Sequence, residues 1–250
     1  VDAAGIEKMR ELGVDVTEAT AGDRAGGTVE VEAVLSETQA AKLRDAGVDL
    51  EVKQVDGVDA SEALEAQAAQ GWEPFRSYSE PGGIRDEILA TAAANEALTE
   101  VVDIGGTVGG QDILAVRVTA DADATPDGSR PAVLYASAQH AREWITPEMT
   151  RRLMHYVLDN YGSDAEITEL VDSTELWFLP VANPDGYDFT FTEGNRLWRK
   201  NLRDNNADGE ITVGDGVDLN RNFAVKWGYD NEGSSPDPAS DTYRGSAPNS

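Results

Sequence analysis

The run Pro131-Ala-Val-Leu-Tyr-Ala136 is the feature that most narrows the folds open to this chain. It is a short apolar strand, and it leads through a loop into a helix start at Thr146-Pro147-Glu148. That start offers a capping hydroxyl, proline at the first helical position and an acid in the first turn. A buried strand feeding a helix is the unit of an α/β protein, and such proteins place their chemistry on loops at the carboxyl ends of strands. The loop in question carries His140-Ala-Arg-Glu143. An imidazole and a carboxylate one helical turn apart can converge on a single ion, and two His with one Glu is a recognised catalytic zinc set.

Further strands and helices alternate around this point. Glu100-Val-Val-Asp-Ile104 and Ile113-Leu-Ala-Val-Arg-Val118 read as strands joined by a glycine-rich hairpin, and Leu176-Trp-Phe-Leu-Pro-Val181 as another. Residues 80–93 and 95–98 suggest helices. The alternation predicts a mixed sheet covered by helices on both faces. Asn183-Pro-Asp-Gly-Tyr187 has proline and glycine where a type I turn wants them.

Downstream, Arg196-Leu-Trp-Arg199-Lys-Asn precedes Val217-Asp-Leu-Asn220-Arg221-Asn222-Phe223. An arginine can polarise a carbonyl, and an amide–arginine pair suits a carboxylate held by two hydrogen bonds. Together with the His/Glu pair, this is equipment for cutting beside a free C-terminus.

From Trp72 to Ser250 the chain resembles the zinc carboxypeptidases of the pancreatic type. The resemblance runs through Ile104-Gly-Gly-Thr, His140-Ala-Arg-Glu-Trp144, Asn183-Pro-Asp-Gly-Tyr187, Asn195-Arg-Leu-Trp-Arg-Lys200 and Asp218-Leu-Asn-Arg-Asn222, and on into Gly233-Ser-Ser and Tyr243-Arg-Gly-Ser-Ala-Pro-Asn-Ser250. It implies a three-layer α/β/α fold with a mixed sheet, cut short here, and hydrolysis of the C-terminal peptide bond of peptides and proteins. It makes His140 and Glu143 zinc ligands, Arg199 the stabiliser of the oxyanion, Asn220 and Arg221 the clamp on the terminal carboxylate, and Arg142 a contact to substrate beyond the scissile bond. It also implies secretion, and a monomer when the chain is complete. The family's third zinc ligand, a histidine, and its general-base glutamate belong to sequence beyond Ser250, so residues 1–250 alone are expected to be inactive and to bind zinc weakly. Two other readings share these residues: trimming of peptidoglycan stem peptides, and a non-catalytic calcium-dependent binding module on the same scaffold.

Composition excludes other classes. A net charge of −27 leaves no basic stripe for nucleic acid and no attraction to an anionic membrane. No apolar run of about 18 residues is present to span a bilayer. There is no cysteine, so disulfides and thiolate metal sites are excluded.

The first 55 residues hold an internal repeat: Lys8-Met-Arg-Glu-Leu-Gly-Val-Asp-Val16 echoes Lys42-Leu-Arg-Asp-Ala-Gly-Val-Asp-Leu50. Each copy reads as a helix stopped by glycine and followed by a strand. Gly27–Val34 alternates like a strand, and Ser36-Glu-Thr-Gln caps the second helix. The order matches a ferredoxin-like α+β unit lacking its first strand. It resembles the propeptide that such carboxypeptidases carry. Residues 56–71 read as a linker, and 72–250 as the catalytic domain.

The only other histidine, His155, falls on a helical wheel beside Arg151, Arg152 and Asp159, opposite Met149, Leu153, Val157 and Tyr161. That places it on a solvated face and not on a metal. Finally, Asp204, Asn206, Asp208, Gly209, Glu210, Ile211 and Asp215 follow the spacing of a calcium loop, with an aspartate at the twelfth position.

Overall fold

The structure is a computed structural model that describes residues 1–12, 14, 29, 31, 33, 35, 37–55, 57–59, 62 and 75–250. It divides into two compact units, Val1–Pro74 with Thr192–Leu197, and Phe75–Phe191 with Trp198–Ser250.

In the first unit, both repeat copies form helices, α1 (Ala3–Glu11) and α2 (Glu37–Asp45). Their small core shows why the repeat exists. Met9 and Val14 of one copy are buried with Leu43 and Val48 of the other. The copies are also closed alike: the N–H of Val14 donates to the Met9 carbonyl at 2.9 Å, and that of Val48 to the Leu43 carbonyl at 3.0 Å. Gly47, at φ +80°, supplies the left-handed residue that ends α2. The strand expected at Val48–Leu50 does not form a ladder among the described residues. The two-residue strands β1 (Gln54–Val55) and β2 (Val58–Asp59) pair antiparallel instead. Most of the expected strands at Val14–Val16 and Gly27–Val34, the Ser36 cap and most of 56–71 fall outside the described residues.

The second unit opens with α3 (Ile84–Ala94), then β3 (Thr99–Gly106) and β4 (Asp112–Val118). It continues through β5 (Ala132–Ala136), α4 (Ile145–Asn160), α5 (Ala165–Ser173) and β6 (Glu175–Leu179) to the short α6 (Pro184–Phe189). The sheet order is β3-β4-β6-β5; β5 and β6 run parallel and the other pairs antiparallel. This is the mixed sheet of an α/β fold. Leu114, Val116 and Val118 of β4 pack with Leu176 and Phe178 of β6. Against them lie Ile84 and Ile88 of α3, Met154, Val157 and Leu158 of α4, and Val171 of α5. Each such side chain removed from water contributes about 1.5–3 kcal/mol before conformational entropy is counted.

Three local expectations need correction. The Asn183-Pro-Asp-Gly segment is the start of α6 and not a free turn: the Asn183 side chain accepts from the Gly186 N–H, and Pro184 takes the first helical position. Helix α4 begins at Ile145, and its N-cap Trp144 makes no side-chain cap bond. The Thr146 hydroxyl instead accepts from the Ala138 N–H and donates to the Glu143 carbonyl, stitching the loop before it.

The third correction is the rotation of α4. Met154, Val157 and Leu158 face inward, whereas Met149 and Leu153 are exposed. Arg151 is 1% exposed. Its Nε and Nη2 donate to Glu148 at 3.0 and 2.6 Å, and its Nη1 to both oxygens of Glu87 at 3.1 Å. Glu87 also pairs with Arg76. His155 joins this cluster, half-buried, with Nε2 3.0 Å from Glu87 Oε1, so it does not lie on a solvated face. A wheel that counts arginine as polar misplaces the helix, because two carboxylates neutralise the charge that is buried.

Candidate active site

The loop after β5 is held on both sides. The Ser137 N–H donates to the Leu179 carbonyl, and the Ala182 N–H returns a bond to the Ser137 carbonyl, both at 2.9 Å. The loop thus leaves the sheet beside the end of its parallel neighbour β6. Ala138 then adopts φ +48°, a costly conformation for a residue with a Cβ, and turns the chain toward His140. The Ala141 N–H reaches the Arg199 carbonyl at 3.0 Å. One amide secures the same junction: Asn183 Nδ2 donates to the carbonyls of Gln139 at 3.3 Å and Lys200 at 3.1 Å. Gly186 is needed there, since a Cβ would overlap the Lys200 carbonyl oxygen and lie 2.6 Å from Asn183 Nδ2.

This framework brings His140 and Glu143 together. Nδ1 of His140 lies 2.8 Å from Oε1 of Glu143. Histidine is 9% exposed, and glutamate opens to solvent. On the other side of the ring, Nε2 lies 3.3 Å from Oδ1 of Asp218 without a well-formed hydrogen bond. Asp218 is fully buried. Its Oδ2 accepts from Nε and Nη2 of Arg199 at 3.1 and 3.0 Å, and its Oδ1 from the Asn220 N–H at 2.9 Å.

The charges act on one another. Asp218, helped by Glu143, holds the His140 imidazole above its usual range against burial and the like charge of Arg199. Burial by itself would raise the Asp218 carboxyl, but His140 and Arg199 outweigh it and hold the group low. Asp218 is the site residue that reading the sequence did not single out. The available signal was that a histidine and an arginine set in one site both call for an anion, and an acid stood two residues before Asn220.

Asn220 and Arg221 lie in a single 3₁₀ turn, Leu219–Arg221, capped by Asp218. Arg221 Nε donates to the Gly233 carbonyl at 2.6 Å and Nη1 to the Asn220 carbonyl at 2.9 Å. Among the described residues no carboxylate pairs with it. Arg142 is turned elsewhere, its Nη1 3.0 Å from Asp241 Oδ2. Lys200 is buried, with Nζ donating to the carbonyls of Val213 at 3.1 Å and Pro238 at 2.6 Å. Burial pushes its ammonium down, against the pull of Asp241, Asp215, Asp237 and Asp218.

In the Asp204–Asp215 loop, Asp204 accepts from the N–H groups of Ala207 and Gly209, Asn206 from Asp208, and Asp208 from Glu210. Gly209 takes φ +84° at the sharp turn. Asp215 is fully buried: Oδ1 accepts from the Asn205 N–H and Oδ2 from the N–H and hydroxyl of Thr212. The Thr212 and Asn205 N–H groups hold its carboxyl low.

The donor set suits zinc as far as it goes. An imidazole nitrogen and a carboxylate oxygen face each other, and the second ring nitrogen is backed by a carboxylate, the arrangement that fixes a metal-binding histidine. His140 Nδ1 and Glu143 Oε1, 2.8 Å apart, are the two atoms that would hold the ion. Among the described residues no group of three or more His, Asp or Glu side chains is gathered for a metal.

Residues 84–250 match the zinc carboxypeptidase family. The chain belongs to that family. Metallocarboxypeptidase A of Trichophyton tonsurans is 41% identical over 150 residues, which is 60% of this chain and 33% of that protein. Carboxypeptidase A2 of Rattus norvegicus is 32% identical over 176 residues, 70% of this chain and 39% of that protein. Among solved structures, carboxypeptidase A from Helicoverpa armigera superposes with a TM-score of 0.58 at 27% identity, covering 99% of this chain and 59% of that one. This zinc carboxypeptidase chain therefore spans a third to two-fifths of the length of these two curated relatives.

Proposed function

We propose that this chain contributes zinc-binding and substrate-grasping residues to a metallocarboxypeptidase that hydrolyses the C-terminal peptide bond of peptides and proteins. The observation that carries the reading is Asp218, one buried carboxylate between His140 and Arg199, with Arg221 in the turn that follows. A ligand pair, a fixed guanidinium and a cation lacking a carboxylate partner among the described residues thus share one short stretch of structure.

Each residue has a chemical task. His140 and Glu143 hold zinc, which when bound polarises a carbonyl and lowers the pKa of water. Arg199 presents its guanidinium to the oxygen that gains charge as the carbonyl becomes tetrahedral. Arg221 with Asn220 grips the terminal carboxylate, which restricts the enzyme to chain ends. Arg142 exchanges Asp241 for substrate beyond the cut.

The remaining parts belong to the same proposal. Residues 1–55 act as a ferredoxin-like propeptide, a reading supported by the matched Met9/Leu43 and Val14/Val48 core. Calcium binding by the loop Asp204, Asn206, Asp208, Glu210 and Asp215 rests on its spacing and on the left-handed Gly209, while Asp215 is buried with its oxygens taken by Asn205 and Thr212. The protein works outside the cell as a monomer.

Residues 1–250 alone should be inactive, so the test uses a form that also supplies the third zinc ligand and the general base. It compares peptides that differ only in a free or amidated C-terminus, with and without a zinc chelator. Release of the terminal residue should require the free carboxylate and be abolished by the chelator. Equal cutting of amidated peptides would overturn the carboxylate clamp. Turnover of peptidoglycan stem peptides alone would move the substrate, and zinc-independent peptide binding without turnover would leave a binding module.

A further inference from the structure

Asp218 is asked to serve two cations. Its charge is fully buried and is met by the groups already described: Arg199 through two good bonds, the Asn220 N–H through one, and His140 through a 3.3 Å approach that is not a proper hydrogen bond. Among the described residues Arg199 has no other carboxylate partner. Whatever draws Asp218 closer to the imidazole is therefore gained at the expense of Arg199.

We propose that Asp218 is a shared positioning carboxylate through which Arg199 tunes the zinc affinity of His140, and through which zinc loading loosens Arg199. The inference rests on the function proposed above and extends it to regulation within the site. A zinc-bound Nδ1 leaves the ring proton on Nε2, and the acceptor facing that atom is Asp218 Oδ1. Bound zinc makes this N–H a stronger donor, so Asp218 leans toward His140. Arg199 resists by neutralising Asp218, which weakens the support the carboxylate gives the ligand. Linkage makes the effect reciprocal: the free energy by which Arg199 opposes zinc is the free energy by which zinc releases Arg199. An ion that draws Asp218 toward His140 would free the Arg199 guanidinium, now bonded to Asp218, for a substrate carbonyl.

A direct repulsion between Arg199 and the ion would also oppose binding, but it would act whether or not Asp218 is charged. That difference supplies the test. Zinc affinity is measured by competition with a chromogenic chelator on the full chain, for wild type, Arg199→Met, Asp218→Asn and the double variant. Asp218→Asn should weaken binding about 10–100-fold, as loss of an outer carboxylate does at other sites. Arg199→Met should tighten it roughly three- to tenfold, the scale of coupling between residues in one network. In the Asp218→Asn background the same arginine change should have no effect.

An equal effect of Arg199→Met in both backgrounds, or none in either, overturns the proposal. If the Asp218 variants do not fold, judged by circular dichroism, Arg199→Lys decides. Lysine keeps the charge but lacks the two-pronged contact, so affinity between wild type and Arg199→Met supports sharing through Asp218. Wild-type affinity in Arg199→Lys points to field repulsion and overturns it. Residues 1–250 are expected to take up zinc only weakly, so the titration runs to high zinc. No uptake by wild type even there removes the ligand pair, and the coupling with it.

Discussion

Replacing Arg151 with alanine should be among the most damaging single changes in the second unit, although the residue lies outside the proposed site. The residue is 1% exposed, and its guanidinium donates two hydrogen bonds to Glu148 and two to Glu87. Deleting one partner of a buried pair costs about 3–5 kcal/mol, because the remaining charge is stranded. The lower end applies here. Glu87 keeps Arg76, and Glu148 keeps the Phe75 N–H at 3.0 Å. A loss of about 3 kcal/mol corresponds to a fall of roughly 6–12 °C in the melting midpoint of a unit of this size. Urea titration followed by far-ultraviolet circular dichroism measures it, with the transition of the second unit fitted separately. Adding Glu148→Gln to Arg151→Met should recover stability relative to Arg151→Met alone. A deficit below about 1 kcal/mol, or no recovery in the double variant, would refute the reasoning.

Burial pushes the His155 imidazole below 6.5, with Arg151 and Arg76 adding to that shift and Asp159 opposing it. The unfolded state then takes up the proton first as pH falls, so this stability is present above pH 6.5 and is lost below it, down to the folded value. His155→Gln should flatten that part of the stability profile; an unchanged slope between neutral and mildly acidic pH counts against it. In kinetics on substrates with a free C-terminus, Arg199→Ala should lower kcat about 10²–10³-fold, while Arg221→Ala should chiefly raise KM. Identical signatures for the two would dismiss their separate roles. Calcium should raise the thermal midpoint of metal-stripped protein, by binding the native state, and Asp208→Ala should remove that response without altering zinc content. A melting curve indifferent to calcium would end that assignment.

What could be read in advance follows from which forces are local. The strands at 99–106, 112–118, 132–136 and 175–179 were legible to within a few residues, because apolar, β-branched runs punctuated by glycine and proline favour strands. Their burial was not: the 131–136 run reads as a buried strand, yet β5 is the sheet's edge strand, with Val133 43% and Leu134 63% exposed. The pairing of His140 with Glu143 was legible from their three-residue spacing, although a loop turn closed by the Glu143 N–H on the His140 carbonyl, and not a helix, brings them together. The face of α4 was not. Arg151 is buried only because Glu87, sixty-four residues earlier, is folded against it, and no local pattern carries that fact. Asp218 escaped for the same reason: its partners His140 and Arg199 are distant in sequence and meet only when the loops close. Asn183 was read as a turn residue because helix starts and type I turns share proline and glycine preferences, and a cap is told apart only by the bond to Gly186.

The twin halves of the small core set a clock on synthesis. Met9 and Val14 leave the ribosome with no apolar partner from the second copy, since Leu43 and Val48 follow 34 residues later (43 − 9 and 48 − 14). At about 5–20 residues per second the first helix waits roughly 2–7 s for the side chains that complete its core. An isolated helix of nine residues is too short to persist in water through that interval. The first copy therefore cannot complete this core on its own, and the core closes only when Leu43 and Val48 of the second Lys-x-Arg copy clear the tunnel.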